Sequence, residues 1–536
     1  MSKIKSEVEH VIWNHWQRMI YERWNYMSQI QVNNLTFYYD GGEDVIFKNA
    51  SFSIDTNWKL GLLGRNGKGK TTLFKLLMDQ LEYSGVISKS IRFDYFPYQI
   101  KEEDLLKDVI DLCEVYKPGY ELWKLICELE HLSLKEEVLY RPFFTLSHGE
   151  RTKVMLALLF SSDNEFLLID EPTNHLDQES RDIMKTYLEK KRGYILVSHD
   201  RDLLDACIDH VLVLNKYTIE VQSGNFSSWW ENKNRKDAFL LAENEKHCKE
   251  IAVLKKAAER TRNWADKNEQ TKIGFDAIKE HDRNISTRAY IGAKTKKMQS
   301  RVKQMEKRVD REILEKENLL VDIETPIELK MFPQQYFKEV LVQARNYGIS
   351  YKNQNKQVFE DFNFTLHQGE RVFLHGKNGC GKSSFLKAIL KSNNIEQESI
   401  SNNMIESGLL TVASGLKISY VSQDTTHLQG SIVRFCEDRD LQDSLFFAVL
   451  RQMGLERSQF YKTMETYSEG QKKKILLAAS LVTPAHLYLW DEPLNYIDVF
   501  SRIQIENLIL KSKPSMIVVE HDSQFRDNVA TRIVEM

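Results

Sequence analysis

No apolar run in the sequence approaches the ~18 residues needed to span a bilayer, so it offers no transmembrane helix. The six cysteines (Cys113, Cys127, Cys207, Cys248, Cys380 and Cys436) form no C-x-x-C pair. A zinc framework or a disulfide scaffold is excluded on that pattern, and the thiols read as those of a reduced, cytoplasmic protein. Residues 1–27 are charged and rich in tryptophan and lack the apolar core of a secretion signal. They read as a mobile N-terminal extension, or as a stretch upstream of a start at Met27. Neither charge sign dominates. The net charge is −3, but its distribution is uneven. Lys233 to Asn318 holds 23 basic against 15 acidic residues, and the remainder holds 51 against 62. A basic middle between acidic flanks points to a polyanionic partner for the middle.

What is present occurs twice. Gly64 to Thr71 reads GRNGKGKT, and HGKNGCGKSS repeats it at Gly376, Gly381, Lys382 and Ser383. Both fit G-x-x-x-x-G-K-[ST]. Each follows a strand-like run and opens a helical one, which is the context the pattern requires. Backbone N–H groups of Gly64, Asn66, Gly67 and Gly69, and of Gly376, Asn378, Gly379 and Gly381, can turn inward on phosphates. Lys70 and Lys382 would reach the β- and γ-phosphates. The Thr71 and Ser383 hydroxyls would hold Mg²⁺, with Thr72 and Ser384 beside them. Two copies of such a loop, each trailed by the same further motifs, leave no room for a chance glycine turn.

Those further motifs keep their order. A tyrosine after the first strand, Tyr39 or Tyr351, could stack on a purine or could simply edge a sheet. Phe93 to Gln99 reads as a strand ending in glutamine, matched by Gln423. LSHGE carries Ser147 and Gly149, and YSEGQ carries Ser468 and Gly470. FLLIDEP and LYLWDEP each end an apolar strand in two acids, Asp170–Glu171 and Asp491–Glu492. Buried acids are costly without a partner, so a metal or water ligand explains them better than structure does. Asp170 would support Mg²⁺, and Glu171 and Glu492 would polarise the attacking water. His199 and His521 follow at the end of another strand, where a γ-phosphate sensor would sit. Ser147 to Asp170 and Ser468 to Asp491 are both 23 positions. This is an internal duplication, and it predicts an α/β chain with domains at 28–232 and 329–536.

Residues 233–328 differ. Ile251, Leu254 and Ala258, then Met298, Val302, Met305, Val309 and Ile313, recur at helical spacing on charged segments. That narrow stripe predicts an antiparallel helical hairpin with arms of ~30 residues, about 45 Å each. A solvated coiled coil accounts for the helices. It does not account for Arg288, Lys294, Lys296, Lys297, Arg301, Lys303, Lys307 and Arg308 set against one acid, Glu306; phosphate contacts would. Phe275 and Ile278, near the expected tip, lie beyond the regular stripe. They either close the hairpin or insert among RNA bases.

With these motifs in view, the sequence from Met27 onward resembles an ATP-binding-cassette (ABC) protein of the F subfamily. PTNHLD (Pro172 to Asp177) is close to the subfamily's usual wording. DEPLNYID departs at Leu494 and Tyr496, and LSHGE departs at His148, which leaves room for unequal sites. The short helical inserts and the WDEPLNYID wording look like the antibiotic-resistance branch of Lsa/Vga type. The resemblance implies two P-loop NTPase cassettes joined by the hairpin and closing head to tail on two ATP molecules within one monomer. Site one would pair Lys70, Thr71, Gln99, Asp170, Glu171 and His199 with Ser468 and Gly470. Site two would pair Lys382, Ser383, Gln423, Asp491, Glu492 and His521 with Ser147 and Gly149. Mg²⁺ would be held by Thr71, Gln99 and Asp170 in one site and by Ser383, Gln423 and Asp491 in the other. The resemblance also implies binding at the ribosomal tRNA exit site, against large-subunit RNA and peptidyl-site tRNA, and protection from lincosamides, streptogramin A and pleuromutilins. A housekeeping translation factor of the same subfamily and the nucleotide-binding subunit of an exporter are the alternatives. The exporter leaves the basic hairpin without a role.

Overall fold

A computed structural model describes residues 29–39, 45–162, 165–174, 176–215, 218–273, 300, 303–304, 307–309, 311–312, 329–351, 354–393, 404–455 and 457–536. The chain forms two compact units. Trp230–Pro326 is one, and the rest of the chain, holding both cassettes, is the other.

In the first cassette, β3 (Lys59–Leu63), β5 (Arg92–Phe96), β6 (Glu165–Asp170), β7 (Tyr194–Val197), β8 (His210–Leu214) and β9 (Ile219–Ser223) form one sheet. Its order is β5-β6-β7-β3-β8-β9. All neighbours are parallel except β8 and β9. Strands of a parallel sheet are covered on both faces, and the sequence obliges with near-continuous apolar runs such as FLLI and YILV. A separate antiparallel sheet has the order β2-β1-β4, from β1 (Gln29–Tyr38), β2 (Val45–Asp55) and β4 (Ser84–Ser88). The predicted strand to Gln99 stops short, at Phe96. Pro97 has no N–H to give a ladder, so Gln99 stands in the loop beyond and is exposed.

The second cassette repeats the plan. β12 (Arg371–His375), β14 (Ile418–Val421), β15 (Leu487–Asp491), β16 (Met516–Val519) and β17 (Arg532–Glu535) form a parallel sheet ordered β14-β15-β16-β12-β17. The antiparallel sheet is β11-β10-β13, from β10 (Val340–Tyr351), β11 (Gln354–His367) and β13 (Met404–Val412). Chain order therefore puts both phosphate loops, both acid pairs and both histidines at the carboxyl ends of central strands. Open α/β sheets bind ligands at those ends.

Between the cassettes, one helix runs from Phe226 to Ile273, 48 residues, or about 72 Å. It is longer than the sequence stripe suggested at both ends: it begins ahead of Lys233, where Trp229 packs against Phe500 (6.0 Å between rings), and it continues to Ile273. Among the described residues no helix is long and apolar enough to cross a membrane. Lys303 lies on a helical residue and is exposed. Phe275, Ile278, Arg288, Lys294, Lys296, Lys297 and Arg301 lie outside the described residues.

One ion cluster ties β5 to β6. Lys117 is buried, and its ammonium donates to Asp94 Oδ2 and Glu165 Oε2, both at 2.7 Å, and to the Leu159 carbonyl at 2.9 Å. Removing one partner strands the others. Lys117→Met should destabilise the protein by about 3 kcal/mol, read as a lower thermal midpoint. Hydrogen exchange should rise first in β5 and β6.

Candidate functional site

The phosphate loops are built alike. Gly69 and Gly381 precede the helices Lys70–Leu77 and Lys382–Ser392 in the left-handed conformation, with φ +89° and +103°. A Cβ at either would fall 2.6 Å from a side chain, Ile46 or Phe359, so the loop demands glycine there. The lysines fold back on their own loops. Lys70 Nζ donates to the Gly64 carbonyl (2.7 Å), and Lys382 Nζ to the carbonyls of Gly376 (2.7 Å) and Lys377 (2.9 Å). Tyr39 shares a hydrogen bond with Thr72 (3.0 Å) and Tyr351 with Ser384 (2.8 Å). Each tyrosine is thereby fixed beside its phosphate loop, where its ring can meet a base.

The signature sequences are capping boxes. Ser147 accepts from the Glu150 N–H while Glu150 accepts from the Ser147 N–H; Ser468 and Gln471 do the same. S-x-x-E/Q is the sequence form of that device. It leaves the N-termini of the helices His148–Leu159 and Glu469–Val482 well ordered.

Glu171 and Glu492 both adopt positive φ, +50° and +47°, immediately before a proline. This is a strained setting for a non-glycine residue, and such strain clusters at functional sites. Thr71 donates to Asp170 Oδ2 at 3.3 Å. His199 Nε2 lies 3.3 Å from Glu171 Oε1, and His521 Nε2 lies 3.8 Å from Glu492 Oε1. Burial, then neighbouring Asp170, pushes the Glu171 carboxyl up to about 8. Burial pushes Asp491 up to about 6. Burial, helped by the nearby cation of Arg181, pulls His521 down to about 4. Burial drives His199 well below the usual histidine range, with Lys70 nearby adding to it. Both histidines are therefore neutral at neutral pH, each offering one donor and one acceptor.

Site two is an open cavity of about 420 Å³, a size suited to a small ligand. Tyr351, Lys382, Ser383, Gln423, Glu492 and His521 line it, and Leu176 and Arg181 reach it from the first cassette. Ser147 and Gly149, the expected partners, are not in its wall. In the first cassette a small pocket of about 10 Å³ lies beside the phosphate loop, between Gly64, Lys70 and His199 on one side and Val499 and Phe500 on the other. Tyr496 packs on Gly470, where a Cβ would lie 2.9 Å from its own Cβ, and its carbonyl accepts from Asn66 Nδ2 at 2.9 Å.

The cassettes also meet through charge. Arg201 is buried and donates to Glu506 (2.9 Å), with Asp522 3.7 Å away. Arg502 closes the cluster on Asp522 at 3.0 Å. The sequence reading missed Arg181 and Arg502. A signal existed: each stands four residues after the capping Asp177 or Asp498, and each bonds the carbonyl just before that aspartate.

The donors suit Mg²⁺ with a nucleotide. Both Asp491 carboxylate oxygens are buried without a hydrogen-bond partner among the described residues, and a serine hydroxyl and an amide oxygen stand nearby in Ser383 and Gln423. Hard oxygen donors in small number, the rest left to phosphate and water, fit Mg²⁺.

The family model described as "ABC transporter" matches residues 47–174 and 359–495. The chain is 26% identical over 494 residues to the ribosome protection protein VmlR of Bacillus subtilis (strain 168), covering 91% of this chain and 83% of that one. It is 25% identical over 529 residues to the ATP-binding protein Uup of Buchnera aphidicola subsp. Acyrthosiphon pisum, covering 94% and 80%. Among solved structures, the archaeal ribosome recycling factor aABCE1, in complex with the stalk protein aP1, superposes with a TM-score of 0.58. That match is 19% identical and covers 94% of this chain and 87% of that chain.

If the tyrosine rings carry base contact, Tyr39→Phe or Tyr351→Phe should weaken ATP binding by less than about threefold. Alanine at the same place should cost about tenfold, the loss of one stacked ring. Titration with a fluorescent ATP analogue separates the two, and equal losses would assign the contact to the hydroxyl.

Proposed function

We propose that this chain, an ATPase built on two ABC transporter domains, binds the ribosome in its ATP-closed form and protects it from antibiotics acting at the peptidyl-transferase centre. The carrying observation is the near full-length match to a relative named for ribosome protection. The basic segment between the cassettes supports it. On this reading the linker reaches toward the drug site from the tRNA exit site, with lincosamides, streptogramin A and pleuromutilins as the drug classes. Hydrolysis then releases the protein.

The cavity at site two supports the chemistry. Lys382 leaves its loop carbonyls to meet the β- and γ-phosphates. When bound, Mg²⁺·ATP supplies the phosphoryl group and a cation to offset the Asp491 charge. Glu492 orients a water and takes its proton on a carboxylate oxygen, with Asn495 holding the other oxygen through a 2.7 Å bond. Neutral His521 faces the γ-phosphate side. Arg181 arrives from the other cassette, so site two is complete only when the cassettes are together. The protein's share is positioning and charge stabilisation, and the energy drives a conformational switch.

Glu171→Gln with Glu492→Gln should bind ATP normally, lose nearly all hydrolysis and stay on ribosomes in cosedimentation with ATP. Parental turnover in that variant would remove both glutamates from the mechanism. A protected, drug-sensitive host separates protection from a housekeeping role. Cofractionation with membranes instead of ribosomes would favour an exporter.

Ribosome affinity should also fall steeply with salt, because each phosphate contact releases a condensed counterion. Reversing Lys296, Lys297 and Arg301 to glutamate should lower affinity and flatten the salt slope by about two to three. ATPase activity without ribosomes should stay within twofold. An unchanged slope would place these side chains away from RNA.

A further inference from the structure

Lys473 sits on the helix Glu469–Val482, five residues after the capping Ser468, and is 3% exposed. Its ammonium donates to two backbone carbonyls, Ser422 at 2.8 Å and Asp491 at 3.0 Å. Those carbonyls mark the carboxyl ends of two neighbouring strands. Ser422 directly follows β14, Asp491 closes β15, and the two strands pair in parallel. The residue after each carbonyl is one the proposed chemistry uses, Gln423 or Glu492, and both line the site-two cavity.

A buried ammonium is costly, and methionine would fill similar volume without that cost. What methionine cannot do is donate to two strand-end carbonyls at once. Among the described residues, the first cassette has no such clamp. Thr152 stands at the equivalent position, five residues after Ser147, and its hydroxyl donates back to the His148 carbonyl of its own helix (2.9 Å). There the strand pair is tied through carboxylate side chains by Lys117, and not at the strand-end carbonyls.

We propose that Lys473 is a positioning residue specific to site two, fixing the backbone from which Gln423 and Glu492 project. This rests on the reading that those two residues serve ATP hydrolysis. The clamp also starts from the helix whose N-terminus is the second cassette's signature. A shift of that helix is therefore passed to the strand ends.

The test uses the full-length protein, with Lys473→Met, Lys473→Arg, Thr152→Ala and Glu492→Gln compared with the parent. Steady-state ATPase assays give kcat and KM, and hydrogen exchange by mass spectrometry covers 419–426 and 489–496. Lys473→Met should lower kcat about tenfold with KM within threefold, and exchange should rise in those two segments alone. Lys473→Arg, which keeps charge and donors, should recover part of both, and Thr152→Ala should match the parent. The proposal is overturned if Lys473→Met keeps kcat within twofold, or if exchange rises evenly through both cassettes, the mark of general loosening. If Glu492→Gln abolishes turnover while Lys473→Met does not, the clamp alone fails. If Glu492→Gln turns over normally, the reading of site two fails with it.

Discussion

An apolar strand that ends in two adjacent, largely buried carboxylates leaves them little water, and both cassettes are arranged around that constraint. Every residue of Leu487–Asp491 is buried, and Asp491 is left with bare oxygens. The following glutamate faces the cavity from a backbone of positive φ. Burial holds the Asp170, Glu171 and Asp491 carboxyls toward their neutral forms. A cation bound beside them would reverse that preference. The phosphate loop, the neutral histidine and the cross-cassette arginine converge on this point because each answers the same electrostatic problem.

Much of this was legible in the sequence, and for physical reasons. Parallel strands buried on both faces read as apolar runs, so FLLID and LYLWD announced themselves. Phosphate loops need glycine at fixed places. A capping box has a sequence form, so LSHGE and YSEGQ marked helix starts. What escaped notice depended on the third dimension. A strand reaching Gln99 ignored the missing N–H of Pro97. A helix beginning at Phe226 was hidden because its first turn belongs to the first cassette and carries Trp229 toward the core. Arg181 acts across the cassette boundary and Lys473 on two strand ends, one of them 51 positions away, where periodicity says nothing. Comparing the halves position by position would have raised Arg181, since duplication preserved its spacing.

The same comparison shows how far the halves have drifted. Side chains the duplication did not keep stand beside the first phosphate loop. Tyr496 touches both the signature Gly470 and Asn66, and Val499 and Phe500 line a small pocket with Lys70. Lys473 braces one pair of strand ends where Thr152 leaves the other to different ties. Two sites with the same motifs are thus lined and braced by different side chains.

The Arg201–Glu506 contact adds a constraint on assembly. At the equivalent positions, eight residues after the capping aspartate and two after the histidine, the halves carry Lys185 and Ser523. Two copies of the first cassette, brought together in the same head-to-tail manner, would set Arg201 of each against Lys185 of the other. Like charges in a desolvated interface cost several kcal/mol. The Arg201–Glu506 contact is therefore one that only unlike halves can make, so the duplication's drift has made the first cassette more complementary to the second than to a copy of itself.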